Sequence, residues 1–177
     1  MLSFLGLTAF YRGDLAAARR LHEESLAIWV ALDDRQGIVW ARARLGDVLA
    51  RQGAYAAAYD QFVTGLAIAG ELDFRWGLSW ACDGLAHLAA GHDAAPLAAR
   101  LAATAEAIRE ATGLRLAPLE QAELDRLLEQ IRAKIGARNF ATVWSCRQRW
   151  ALDELRRTVD EMLRPVCTDG SAPSGSE

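Results

Sequence analysis

The sequence predicts an all-α fold, a solenoid of about three 40-residue helical hairpins closed by a C-terminal helical cap. Three observations predict it. Residues 5–45 laid on residues 45–85 are identical at sixteen of 41 positions, among them Gly6/Gly46, Gly13/Gly53, Ala18/Ala58, Leu26/Leu66, Gly37/Gly77 and Trp40/Trp80. A sustained period of that length marks stacked supersecondary units. Apolar residues recur at three- and four-residue spacing with Gly or Asp at the joints, and no two-residue alternation competes with them. A hydrophobic fraction of 52% with only 4 prolines in 177 residues supplies apolar surface for a continuous helical core.

Taken in order, the first unit should carry a helix from Leu2 to about Arg12, a turn at Gly13-Asp14, and a second helix from Leu15 to about Leu32. The second unit repeats this with helices near Arg35–Gln52 and Tyr55–Leu72 around Gly53. The third places helices near Phe74–Ala90 and Ala95–Thr112 around Gly91-His92-Asp93. Small residues stand where two helices must come close: Gly6 and Gly46, then Ala18, Ala58 and Ala98, then Ser25, Gly65 and Ala105. A glycine inside a helix costs about 1 kcal/mol against alanine, so Gly6, Gly46 and Gly65 imply tight packing in return. Pro118 should open a helix through about Ile135. A final helix follows Leu152-Asp153-Glu154-Leu155 and should stop at Pro165. The units are therefore hairpins at about 1–34, 35–73 and 74–113, a cap over 114–163, and a tail over 164–177 whose composition is that of disorder.

The succession Leu45-Gly46, Gly53, Tyr55, Ala58, Phe62 and Gly65-Leu66-Ala67-Ile68 resembles the tetratricopeptide repeat, and Leu5-Gly6, Gly13-Asp14, Ala18 and Ser25-Leu26-Ala27-Ile28 keep the same pattern. The period exceeds the usual 34 residues by six. Leu-Asp-x-Arg-x-Gly-[Ile/Leu]-x-Trp-Ala at 32–41 and 72–81 fills the difference. This longer form resembles the C-terminal repeats of bacterial STAND-type signalling ATPases, including LuxR-type and maltose-activator-like transcription regulators. Ile135-Gly136, Phe140 and Trp144 after the Pro118 helix match the end of that family, whereas Ser145-Cys146-Arg147-Gln148 stands where it usually has a glycine. The resemblance implies a sensing or protein-interaction module and an upstream nucleotide-binding domain if the chain is part of a longer protein.

Composition limits the partners. A net charge of -3 and an acidic isoelectric point near 5.7 argue against direct binding to nucleic acid or to an anionic membrane. Cys82, Cys146 and Cys167 are odd in number and contain no paired motif, which suits a reducing cytoplasm better than a disulfide framework or a zinc site. No nucleotide-binding lysine loop, nucleophile elbow or zincin motif is present, so neither an enzyme nor a cofactor is expected. His22, His87 and His92 with Cys82 are too scattered for a metal, and Glu23-Glu24, Asp33-Asp34, Glu120 and Glu123 read as solvated helix faces and caps.

One helix face stands out. Trp40, Arg44, Asp47 and Arg51 share a stripe on the first helix of unit two, opposite an inward side of Ile38, Ala41, Leu45, Val48 and Leu49. Trp76, Trp80, Asp83, Gly84 and His87 form the matching stripe in unit three. In the tetratricopeptide arrangement that face would line a concave groove, and these eight polar and aromatic residues would receive a protein, a peptide or a small effector. Because Trp40 and Trp80 match each other across the repeat, filling the same gap between hairpins is the preferred reading of both, ahead of ligand contact, and Trp29, Trp144 and Trp150 suit core or cap positions. Leu2, Phe4, Leu7 and Phe10 on the first helix need a cover, supplied either by a preceding hairpin of a longer protein or by homodimerisation.

Overall fold

The computed structural model describes residues 2–146 and 152–168, which contain nine helices and no strand. These are α1 (Leu2–Tyr11), α2 (Leu15–Ala31), α3 (Arg35–Arg51), α4 (Tyr55–Glu71), α5 (Arg75–Gly91), α6 (Ala95–Thr112), α7 (Pro118–Ile135), α8 (Ala137–Ser145) and α9 (Leu152–Thr168). Each hairpin turns through a left-handed residue: Gly13 at φ 80°, Gly53 at φ 76°, and in the third unit Asp93 at φ 58°. Asp takes over from Gly there because its short polar side chain tolerates that conformation. Asp14 accepts the Ala17 N–H at 3.0 Å and Asp34 the Gly37 N–H at 2.9 Å, which caps α2 and α3.

The hairpins α1/α2, α3/α4 and α5/α6 stack in chain order, with α3 touching both α1 and α5 in an inner row. The arrangement is that of a tetratricopeptide-like solenoid. Phe62 of α4 is the wedge of the core, 1% exposed, and its ring lies where a Cβ on Gly46 of α3 or Gly84 of α5 would sit, at 2.5 Å for Gly46. Gly6 is likewise pressed on the His22 ring, and Gly37 on Trp29. Gly65 differs from the expectation: a Cβ there meets nothing nearer than Arg42 at 3.8 Å, so packing does not require it. The buried side of α3 holds Val39 rather than Ile38 beside Ala41, Leu45, Val48 and Leu49.

Past α6 the chain wraps back over the solenoid. α7 packs on α5, α6 and α8, burying Leu124, Leu127 and Ile131 at helical spacing. α9 returns to α4 and touches α5 and α6, burying Val159, Leu163 and Cys167, while the Tyr59 hydroxyl donates to Asp160 at 2.6 Å. Pro165 does not stop α9, which runs on to Thr168. A proline so near a C-terminus removes one ladder bond where few remain to lose. Trp29 sits against Gly37, and Trp144 stacks on Phe140 with centroids 5.0 Å apart, both packing roles. Trp150 and residues 169–177 lie outside the described residues. Among the described residues no helix is long and apolar enough to cross a membrane.

Candidate functional site

The inner faces of α3 and α5 do not form an open trough. α7 crosses in front of them, because Arg44 Nη2 reaches Glu120 at 2.8 Å and Arg51 pairs with Glu123. Glu120 and Glu123 are therefore not the solvated positions that their sequence suggests. The Glu120 carboxylate also accepts the Ala117 N–H at 3.1 Å, which ties the start of α7 to the same ion pair. What remains between the hairpins and α7 is a cavity of about 440 Å³.

Six of the eight stripe residues line that cavity: Arg44, Asp47, Arg51, Trp80, Asp83 and His87. The other two stand beside it. Trp40 meets the buried His22 edge to face at 5.9 Å, and Trp76, 47% exposed, meets Trp80 at 6.3 Å. The Arg44 guanidinium lies 5.9 Å from the ring centroids of both Trp40 and Trp80, so the matching tryptophans bracket one cation. Arg51 covers the Phe10 ring at 4.5 Å.

Residues outside the two stripes complete the wall. Phe10 and Tyr11 come from the end of α1, Tyr55 from the start of α4, His92 from the turn after α5, and Glu120, Glu123 and Leu127 from α7. Tyr55 and His92 meet edge to face at 5.0 Å. Only α7 lies beyond the repeat; the others sit at helix ends, where a stripe drawn along one helix does not reach.

The charges in and behind this wall do not balance. Arg44 serves both Glu120 and Asp47, the latter at 3.4 Å, and the buried Arg109 serves both Asp83 at 2.6 Å and Glu106 at 2.9 Å. With Glu123, Arg51 and the lining Arg126 this makes five carboxylates to four guanidinium groups. Arg126 lies at the exposed rim and donates to the Ala122 carbonyl. Burial therefore pushes Asp47 up to about 7 despite Arg44, with Glu123, Glu120 and Asp83 adding to the rise. Asp83 is pushed up to about 6 by burial, against the pull of Arg109, and its Oδ1 has no hydrogen-bond partner. Desolvation lowers His87, opposed by the charge on Glu123 and assisted by that on Arg51. Desolvation also lowers His22 to about 4, assisted by the charge on Arg44. Among the described residues no group of three His, Cys, Asp or Glu side chains gathers to hold a metal ion.

Comparison with known proteins bears on the first part of this solenoid. The tetratricopeptide repeat family matches residues 1–71, and repeats of that kind generally mediate contacts between proteins. No curated protein and no solved structure matches the chain.

Proposed function

We propose that the chain is the non-catalytic sensing module of a larger bacterial signalling ATPase or transcription regulator, and that it recognises a small cationic group in the cavity under α7. The resemblance of the repeats and cap to the C-terminal part of those regulators supports the context. The cavity supports the recognition. Its volume of about 440 Å³ falls within the roughly 300–1,000 Å³ typical of small-ligand sites. A helix with side chains is about 10 Å across and does not fit there, so the ligand is a small effector or a single side chain of a peptide.

The observation that carries the chemical class is the surplus of carboxylates over guanidinium groups. An ammonium or guanidinium would satisfy Asp47 and the unpaired Oδ1 of Asp83, with Trp80 and Tyr55 offering flat faces beside it. Arg44 and Arg51 then act mainly to hold α7 in place. The alternative role, a free-standing adaptor that homodimerises through its first hairpin, is favoured by the exposed Phe4 and Leu5 on α1.

Benzylamine, with benzyl alcohol and benzoate as its neutral and anionic counterparts, tests the ligand class by thermal unfolding. Benzylamine alone is expected to raise Tm, since a ligand at about a hundred times its Kd stabilises by about 2.7 kcal/mol. The Asp47→Asn/Asp83→Asn variant should lose that response. A response to benzoate instead would reverse the charge assignment. The regulator context is read from the gene: an in-frame nucleotide-binding domain ahead of Met1 supports it, and its lack leaves the adaptor role.

A further inference from the structure

The cavity under α7 differs at its two ends. Arg44 and then Arg51 of α3 meet Glu120 and then Glu123 of α7, and Lys134 reaches Asp93 at 2.7 Å just past α5, so α7 runs in the same direction as the inner helices. Position along the slot therefore follows residue number on each helix. At the early end stand Trp80 and Asp83 of α5, Arg44 of α3 and Glu120 of α7, all half-buried, with Asp47 one turn further along. At the late end Arg51, Arg126 and Gln130 are all exposed. The slot is blind at the first end and open at the second. Leu88 and Leu124, both buried, line the stretch between.

Charge separates along the same line. The blind end holds surplus acid, since Arg44 serves both Glu120 and Asp47 and the Oδ1 of Asp83 has no hydrogen-bond partner. The mouth holds surplus base. Glu123 is taken by Arg51, while Arg126 pairs with no carboxylate among the described residues and its Nε donates to the Ala122 carbonyl of its own helix at 3.1 Å. A simple amine would answer the first end and leave the second unanswered. We infer that the ligand is a zwitterion held at both ends, a basic amino acid or the same residue at the C-terminus of a peptide, with its side-chain cation at Asp83 and Asp47 and its carboxylate at Arg126. This rests on the reading of the cavity as a cation site and adds what holds the other end. The lengths agree: Arg126 lies six residues, or about 9 Å of helix axis, beyond Glu120. An extended lysine spans about 7–8 Å from Nζ to its carboxyl carbon, which leaves room for a hydrogen bond at each end. Its methylene stem then lies along Leu88 and Leu124, as long cationic side chains do on apolar surface.

Titration calorimetry of the whole chain at pH 8, above the values of about 7 and 6 at which Asp47 and Asp83 protonate, tests this with lysine and two analogues. Norleucine lacks the side-chain cation, and lysinamide lacks the carboxylate charge. Lysine is expected to bind, norleucine at least about tenfold more weakly, because it leaves the buried acids unanswered. Lysinamide should bind at least about threefold more weakly than lysine, the scale of an ion pair at an exposed rim. In Arg126→Met that difference between lysine and lysinamide should vanish. Lysinamide binding as tightly as lysine to wild type, with norleucine still weak, overturns the inference and leaves the cation site standing. Norleucine binding as tightly as lysine overturns both. A response to benzylamine with none to lysine overturns the inference alone, and so does a lysine preference over lysinamide that persists in Arg126→Met. The tripeptide Gly-Gly-Lys separates the two sources: binding equal to lysine assigns a peptide C-terminus, and binding by lysine alone assigns the free amino acid.

Discussion

Asp47 shows how a single side chain records the shape of the site. Its carboxyl protonates near 7 in the fold and near the ordinary 3.8 when the chain is unfolded. Between those values the folded state holds the proton more tightly, so stability from this group is greatest at low pH and falls as pH rises towards 7. Asp83 acts in the same direction, and His22, lowered to about 4, acts in the opposite one. Comparing wild type with Asp47→Asn at each pH cancels those neighbours. Urea unfolding should find the variant more favoured at pH 8 than at pH 5, by at least about 1.4 kcal/mol, the worth of one pKa unit. Equal differences at the two pH values would mean that Asp47 is well solvated and the cavity open. Arg44, Asp47, Arg51, Trp80, Asp83 and His87 were legible in the sequence because periodicity assigns them to one side of α3 and α5. Glu120 and Glu123 were not, since a carboxylate on a polar helix face looks the same whether it meets water or an arginine 72 to 76 residues away.

The helices themselves were legible nearly to the residue, because each joint carries its own chemistry: Gly13 and Gly53 in left-handed turns, Asp34 and Pro118 at helix starts. Glycines inside helices were less so. Sequence treats Gly46 and Gly65 alike and puts Gly84 in the stripe of α5, whereas the fold separates the three by what stands opposite. Gly84→Ala puts a methyl group into the buried Phe62 ring and should lower stability by about 1–3 kcal/mol, less the small gain in helix propensity. Gly65→Ala meets open packing at 3.8 Å and should instead raise stability by up to about 1 kcal/mol, the propensity gain alone. Thermal melts of the two variants must therefore move in opposite directions. A common direction would place Phe62 elsewhere than between α3 and α5. The end of α9 was misread for a related reason, since the rule that proline breaks helices weakens in the last turn, where Pro165 stands.

At the scale of the whole molecule, the repeat determines a solenoid, but the return of the chain over that solenoid determines what it can hold. An uncovered groove would suit a helix or an extended chain. With α7 anchored by Leu124, Leu127 and Ile131, the same groove becomes a cavity for something small. No short-range pattern announces this, because the α7 contacts are long-range in sequence and its apolar face would read identically against any neighbour. The most direct test is a double-mutant cycle on Arg44 and Glu120, whose side chains are only 13% and 20% exposed and which join α3 to α7. Arg44→Met, Glu120→Gln and the double variant, unfolded in urea, should give a coupling energy of about 1–3 kcal/mol. Single-variant effects that add to within about 0.3 kcal/mol would mean that α7 does not close the groove, and the cavity with its proposed ligand would go with it.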